Sequence, residues 1–170
     1  MDWYWFTLIP IPILLLLWLE LIRDEAPPIP LRRETIRKML QLANVKRTDI
    51  VYDLGSGDGR SLIIAAKEFH AKAVGIEKNR LMVWVSRWII SKNKKYKIKI
   101  IPGDIFKESL ANADVILMYL SHKLTQKLKT KFEKELKKET RIVSASHPIV
   151  GWKEVKKIRT GHFYSYLYKI

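Results

Sequence analysis

The chain has 170 residues, 48% of them hydrophobic and 11% aromatic, so it can form one domain with a hydrophobic core, and wholesale disorder is excluded. It contains no cysteine and four scattered histidines, which excludes disulfides and thiol nucleophiles and predicts no metal site. Lys and Arg total 32 against 17 Asp and Glu, and the net charge of +15 favours nucleic acid, anionic lipid or acidic proteins as partners.

The N-terminal segment, residues 3–22, reads WYWFTLIPIPILLLLWLELI and contains one charged residue, Glu20. A helix of about twenty residues matches a hydrocarbon core of roughly 30 Å. The segment lacks the positive start and cleavage site of a signal peptide and the charged face of a surface-lying helix. We expect residues 1–22 to form a single transmembrane anchor. Because the basic residues all follow it, beginning with Arg23, the positive-inside rule predicts that the remaining chain lies in the cytoplasm.

A proline-rich stretch comes next, and residues 23–30 are predicted to form a stiff linker before a domain of residues 31–170. Apolar residues at helical spacing predict helices over residues 31–43, 61–69 and 80–91. Between these helices, DIVYDL and AKAVGIE predict two buried strands. In the third helix, the one-turn spacing of Trp84 and Trp88 assigns both side chains to the core.

The second half of the chain continues this alternation. YKIKII, ADVILMYL and TRIVSAS predict strands, and a helix precedes the last of them with apolar residues at four-residue spacing: Leu124, Leu128, Phe132 and Leu136. EVKKIRT and HFYSYLYKI flank Gly161 and predict a hairpin. The fold class is therefore α/β and Rossmann-like: a mainly parallel twisted sheet with a C-terminal antiparallel hairpin, preceded by one hydrophobic helix. Ligands of such sheets bind beyond the carboxyl ends of the strands.

A glycine-rich loop, VYDLGSGDGR, follows the first predicted strand and is the strongest sign of a ligand. It lacks the Gly-Lys-Ser/Thr of a P-loop, and Arg60 stands where a dinucleotide fingerprint needs its third glycine. The carboxylate of Asp58 would also repel a pyrophosphate. A cationic ligand without phosphate is favoured instead, and S-adenosylmethionine, with its ammonium and sulfonium groups, fits that description.

Acidic residues at successive strand ends support this cofactor. Asp53 and Asp58 are expected to face its amine, and Glu77, at the end of the second strand, to accept from its ribose hydroxyls. After the third strand, Asp104 is expected to accept from the adenine amino group while Ile105 packs against the ring. The backbone of Gly55, Ser56 and Gly57 allows the ligand to approach closely.

The sequence resembles the class I S-adenosylmethionine-dependent methyltransferases. More narrowly, it is similar to the archaeal broad-specificity protein-lysine methyltransferases and their membrane-anchored mitochondrial relatives. The segments that carry this resemblance are PPIP, VYDLGSGDGR, GIEKNR, GDIF, ADVILMYLSHK and SASHPIVGW. The resemblance implies an enzyme that methylates the side-chain amine of lysines in proteins. Ile29 and Leu31 depart from the family pattern beside the prolines, a change expected to narrow the substrate entrance.

Four residues are expected to form the acceptor side. Tyr119 ends the fourth strand, where the acceptor lies in this fold, and Ser121 follows it in the loop. His147 and Trp152 form the opposite wall in the family pattern. Because positioning supplies most of the rate for an in-line methyl transfer, no side-chain base is required.

Two further functions remain open. One is a methyltransferase of the same fold that acts on a lipid, a quinone or RNA, and the other is an inactive scaffold that binds S-adenosylmethionine at a membrane. Two lysine-rich stretches, KNKKYKIK and residues 123–138, could contact anionic lipid or RNA. RNA is the less favoured partner because the sequence shows no aromatic-laced recognition element.

Overall fold

The computed structural model describes residues 29–170. Within them the chain alternates strands and helices and ends in a hairpin. The helices are α1 (Arg33–Leu42), α2 (Arg60–Glu68), α3 (Arg80–Ser91) and α4 (His122–Glu135). The strands are β1 (Ile50–Leu54), β2 (Lys72–Glu77), β3 (Ile98–Pro102), β4 (Val115–Met118), β5 (Arg141–Ala145), β6 (Lys156–Arg159) and β7 (Tyr164–Lys169).

Seven strands form one sheet in the order β3-β2-β1-β4-β5-β7-β6. The first five are parallel, and β7 pairs antiparallel with both β5 and β6. From β1 the chain moves outward through β2 and β3, and then returns to β4 on the other side of β1. The order of strands therefore reverses between β1 and β4, which is where an open α/β sheet binds its ligand.

Burial on both faces explains why the central strands form. All four residues of β4, VILM, are buried, as parallel strands covered by helices on both sides require. On one face they pack with the apolar sides of α1 and α2, and on the other with Leu128 and Phe132 of α4. The predicted fold class is confirmed for the described residues, including the mixed sheet and its terminal hairpin.

The predicted membrane location is wrong for the part of the chain described. No helix within residues 29–170 is long and apolar enough to cross a bilayer. The longest, α4, has 14 residues, and at 1.5 Å per residue it spans about 21 Å against a hydrocarbon core of roughly 30 Å. The predicted anchor, residues 1–22, and most of the predicted linker, residues 23–30, lie outside the described residues.

A second prediction is also wrong, because Trp84 and Trp88 are not core residues. Trp84 is 66% exposed and Trp88 55% exposed. The residues of α3 that are buried are Val83, which belongs to the core cluster of α1 and α2, and Ser86, which lies against Gly59 of the glycine-rich loop. The helix is apolar on almost all sides, so its periodicity did not distinguish the face that packs from the face in solvent.

Candidate active site

The carboxyl ends of the parallel strands converge on one cleft with a volume of about 670 Å³. Register brings them together, since Leu54 pairs with Ile76 on one side and with Met118 on the other. Of the residues predicted from sequence, nine line this cleft: Asp53, Gly55, Ser56, Gly57, Asp58, Glu77, Asp104, Ile105 and Tyr119.

The glycine-rich loop folds back over the end of β2. Gly55, Gly57 and Gly59 have φ angles of 78°, 53° and 79°, a left-handed conformation that only glycine adopts without strain. The amides of Gly55 and Ser56 both donate to the carbonyl of Ile76, at 2.9 and 3.2 Å. The loop is thereby fixed against the neighbouring strand, and the helix α2 starts directly from it.

Gly75 in β2 makes this close approach possible, although it belongs to none of the predicted site residues. A Cβ atom at this position would lie 2.5 Å from Ser56 Oγ and 2.7 Å from Leu62 Cδ1. Glycine inside a strand often marks a place where another part of the backbone comes near, and that signal was available from sequence.

Glu77 connects the loop to the start of α3. One carboxylate oxygen accepts a hydrogen bond from the Gly57 amide and the other from the Asn79 amide, both at 2.8 Å. The side chain is buried, yet it lines the cleft. Glu77 therefore has a fixed orientation, with its remaining lone pairs available to hydroxyl groups of a ligand.

Asp53 is the most perturbed acid of the cleft. Burial raises its pKa, the hydrogen bond donated by the Ser61 hydroxyl opposes that effect, and the charges of Glu77 and Asp58 add to it, which brings the pKa to about 7. A buried carboxyl group that is hard to ionise alone gains from a cationic partner. The position is therefore suited to a positively charged ligand group.

Asp58 lies in the same cleft but already has a partner. Its carboxylate accepts from Arg60 Nη2 at 2.6 Å and from Arg60 Nε at 2.9 Å, and Arg60 Nη1 donates to the carbonyl of Leu31 at 3.2 Å. Burial acts to raise the pKa of Asp58, but these interactions outweigh it and the pKa lies below its usual value. Asp58 thus anchors Arg60, which ties the loop to the start of the described chain.

The segment after β3 forms the far wall of the cleft. Asp104 accepts a hydrogen bond from the Phe106 amide at 2.9 Å, which turns the chain so that Ile105 and Phe106 both line the cleft. Met82 and Val85 of α3 line it as well. An acid beside a set of apolar side chains can bind a flat heterocycle that carries an amino group.

S-adenosylmethionine fits these residues. Asp53, Glu77 and Asp104 place three carboxyl groups along the lining of the cleft, where a ligand with amino and hydroxyl groups can contact them. A Cβ at Gly57 would meet no atom within 4 Å, which leaves open space above the loop. Carboxylates for an ammonium and for ribose hydroxyls lie on one side and apolar side chains for an adenine on the other.

The predicted acceptor residues are only partly brought together. Tyr119 lines the cleft and stacks on Phe163 of the hairpin turn. Ser121 does not line it; the hydroxyl accepts from the Leu124 amide at 3.4 Å and caps α4. His147 lies with its ring 5.8 Å from that of His122, outside the cleft.

Trp152 is placed away from the cleft. Its indole packs against Phe132 and Tyr168, with ring centroids 6.4 and 5.9 Å away, and Nε1 donates to Glu133 at 3.2 Å. These contacts belong to the core on the α4 face of the sheet. The geometry therefore gives Trp152 a packing position. Ile29, Pro30 and Leu31 line the cleft that Tyr119 also lines, and the first two of them were predicted to be linker.

This fold and this cleft define a class I S-adenosylmethionine-dependent methyltransferase. Residues 53–156 match the family model described as the ANTKMT methyltransferase domain. The chain belongs to this family, which confirms the resemblance stated from the motifs, and it is therefore an enzyme rather than an inactive scaffold.

Individual relatives agree with that assignment. The chain is 42% identical over 152 residues to a protein-lysine N-methyltransferase of Saccharolobus islandicus, an alignment that covers 86% of this chain and 94% of the relative. It is 30% identical, over 74% of its length, to a lysine N-methyltransferase of Xenopus laevis that is named for a subunit of ATP synthase. The chain spans about half the length of that vertebrate relative, 55% of which is covered.

Among solved structures, the chain is similar to an RNA methyltransferase from Salinibacter ruber in complex with S-adenosyl-L-homocysteine. The TM-score is 0.80 and the sequence identity 31%, with 84% of this chain and 94% of that chain covered. The cofactor class predicted from the glycine-rich loop and the strand-end acids is thereby confirmed.

Proposed function

We propose that this methyltransferase transfers the methyl group of S-adenosylmethionine to the side-chain amine of lysines in proteins. The observation that carries the proposal is the similarity, over almost the whole length of both chains, to the protein-lysine N-methyltransferase of Saccharolobus islandicus. The apolar wall beside Tyr119 supports it further, because a lysine side chain has a long apolar stem that such a wall can contact.

The cofactor side of the cleft is proposed to work through its fixed acids. S-adenosylmethionine, when bound, supplies an electrophilic methyl group on a positively charged sulfur. Asp53 binds the ammonium group of the cofactor and is held in place by Ser61. Glu77 accepts from the ribose hydroxyls while both of its oxygens remain hydrogen-bonded to backbone amides. Asp104 and Ile105 would bind the adenine, and the backbone from Gly55 to Gly57 lines the same cleft.

The acceptor side is proposed to favour a neutral amine. A lysine with a pKa of about 10.4 is neutral roughly once in 2,500 molecules at pH 7, which costs about 4.6 kcal/mol. Desolvation by Pro30 and Leu31 and the positive charge of Lys127, which lines the same cleft, both lower the pKa of an incoming amine. Tyr119 orients that amine at the end of β4, so that positioning replaces a dedicated base.

The experiment that tests this proposal measures transfer of label from methyl-labelled S-adenosylmethionine to an extract of unfractionated cellular macromolecules. We compare the wild-type chain with Asp53→Asn, and with Asp114→Asn as a matched control. Asp114 directly precedes β4, at the amino ends of the parallel strands and so opposite the cleft, where its carboxylate accepts a hydrogen bond from the Ile50 amide at 2.8 Å. Portions of the extract are treated beforehand with protease or with nuclease.

The proposal predicts protease-sensitive label that yields methyl-lysine on hydrolysis, a large loss with Asp53→Asn, and near-normal transfer with Asp114→Asn. Nuclease-sensitive label would instead make RNA the substrate, the class for which the Salinibacter ruber enzyme is named. Label that resists both protease and nuclease would instead point to lipids or quinones as acceptors and would overturn the proposal.

A further inference from the structure

Two large aromatic side chains of α3 stand in solvent next to the active-site cleft. Trp84 and Trp88 are more than half exposed, and they are one helical turn apart. At 100° per residue, Trp88 lies about 60° around the helix from Val85, which lines the cleft. Two neighbouring exposed indoles of this kind mark a contact surface more often than an accident of packing.

The same stretch of chain carries one sign of charge only. Residues 78–99 contain eight Lys and Arg residues and no Asp or Glu. Several basic residues elsewhere on the described surface pair with acids, as Arg37 does with Glu68 and Lys137 with Asp114. Within residues 29–170, no acid forms an ion pair with Arg80, Arg87, Lys94 or Lys95. The unneutralised charge favours a polyanionic partner.

Cations and aromatic rings alternate along this surface. Lys92 Nζ lies 3.6 Å from the centre of the Trp88 ring, and Lys95 Nζ lies 5.3 Å from the centre of the Tyr96 ring. An indole ring does not neutralise the charge of a lysine that lies over it. The contact holds that positive charge beside a flat aromatic surface. Phosphate contacts and base stacking need these two elements side by side.

We propose that this surface, defined by Trp84, Arg87, Trp88, Lys92 and Lys95 and called here the indole stripe, binds single-stranded nucleic acid. An acidic peptide would match the charge but has no flat rings to stack on two exposed indoles, and a duplex hides the faces of its bases. This binding is independent of the methyl acceptor and holds whether the chain methylates proteins or RNA. The aromatic-laced basic element missing from the sequence pattern is thus formed by residues first assigned to the core.

The test is fluorescence anisotropy of a labelled twelve-nucleotide thymidine oligomer and of a labelled poly-glutamate peptide, titrated with the purified chain at several salt concentrations. The variants are Trp84→Ala/Trp88→Ala and Arg87→Ala/Lys95→Ala. Matched controls are Val155→Ala/Tyr164→Ala, which removes two exposed apolar side chains from the hairpin, and Lys134→Ala/Lys138→Ala, which removes two exposed cations from the α4 side.

The expected result is oligomer binding that weakens about tenfold or more in Trp84→Ala/Trp88→Ala and is unchanged in the hairpin control. The slope of log K against the logarithm of the salt concentration should decrease in magnitude by about 0.7 for each stripe cation removed. Equal losses in the stripe variants and both controls would reduce the binding to bulk charge and overturn the proposal. So would poly-glutamate that binds as tightly as the oligomer and depends on the same tryptophans, since the stripe would then serve acidic proteins. Thermal unfolding of each variant verifies that it is folded.

Discussion

Phe163 stacks on Tyr119, with ring centroids 5.5 Å apart and the ring planes 16° from parallel. Phe163 belongs to the turn between β6 and β7, whereas Tyr119 follows β4, so the two are joined only by the tertiary fold. The hairpin at the end of the chain therefore holds one wall of the active-site cleft, although it is distant in sequence from the glycine-rich loop.

Replacing Phe163 should separate catalysis from cofactor binding. We expect Phe163→Ala to lower methyl transfer about ten- to a hundredfold, because Tyr119 loses the ring that fixes its position. The affinity for S-adenosylmethionine should change less than about twofold, since the cofactor residues lie on other strands. Steady-state kinetics and calorimetry measure the two quantities. Tyr164→Ala, which truncates an exposed neighbour, is the control, and equal loss of cofactor affinity in Phe163→Ala would contradict the prediction.

Asp53 should make the cofactor-free protein less stable as pH rises. Its pKa is about 7 when folded against a usual value of 3.8, so the unfolded chain ionises first. The stability contributed by the protonated group is complete below about pH 4 and is lost as pH approaches 7, by at most about 4 kcal/mol. Asp53→Asn should therefore gain stability relative to wild type between about pH 4.5 and 8, measured by urea unfolding.

Asp114 provides a control of opposite sign. Burial acts to raise its pKa, but hydrogen bonds from Lys137 and the Ile50 amide outweigh burial and the pKa is lowered. Its contribution is present above about pH 4 and lost in acid, so Asp114→Asn should be less stable than wild type at about pH 8, with a difference that shrinks as pH falls below about 4. Parallel pH profiles for the two variants would show that at least one of the two carboxyl groups does not behave as described.

Gly75→Ala should disturb the cofactor site from the strand behind it. The new Cβ would clash with the Ser56 side chain and with Leu62, both buried, and relief requires the glycine-rich loop to move. We expect a loss of about 1–3 kcal/mol in unfolding free energy together with at least about tenfold weaker cofactor binding. In Gly103→Ala the three atoms nearest the new Cβ all belong to the flexible side chain of Glu108, which can swing away. That control should retain both stability and affinity.

Two arginines should differ in their importance for stability. Arg141 pairs with Asp49 at 2.8 Å, with side chains 19% and 9% exposed, and also donates to the carbonyls of Ala43 and Asn44. Arg141→Ala should cost about 3 kcal/mol, because the buried Asp49 carboxylate loses its cationic partner and two carbonyls lose a donor, although Asp49 retains its hydrogen bond from the Lys46 amide at 2.6 Å. Arg37 pairs with Glu68 at 42% and 33% exposure, so Arg37→Ala should destabilise the fold far less than Arg141→Ala. Urea unfolding compares them, and similar costs would refute the distinction.

Features encoded by local sequence were predictable. The glycine-rich loop, Glu77 and Asp104 each lie at or just after the carboxyl end of a strand, and the parallel sheet brings these strand ends together whatever the details of packing. That logic placed the cofactor cleft and the fold class from the sequence alone. The same reasoning does not predict the position of a residue that depends on contacts across the whole domain.

The acceptor wall and α3 illustrate that limit. Trp152 lies in a loop whose direction is set by packing on Phe132 and Tyr168, and no local pattern encodes that choice. In α3, apolar residues occur almost all round the helix, so only the structure shows that Trp84 and Trp88 face solvent. Ile29 and Pro30 were predicted to belong to the linker, yet they line the cleft. The next residue, Leu31, is held there by the hydrogen bond that its carbonyl accepts from Arg60.

The antiparallel course of β7 has a consequence for how this enzyme can change. Because β7 runs antiparallel to β5, the turn between β6 and β7 lies near the carboxyl end of β4. The strands β6 and β7 themselves form the outer edge of the sheet. Substitutions in that turn can reshape the surroundings of Tyr119 without disturbing β1, β2 or β3, which carry the cofactor cleft. The surroundings of Tyr119 can therefore diverge under selection while the strands that form the cofactor cleft are inherited unchanged.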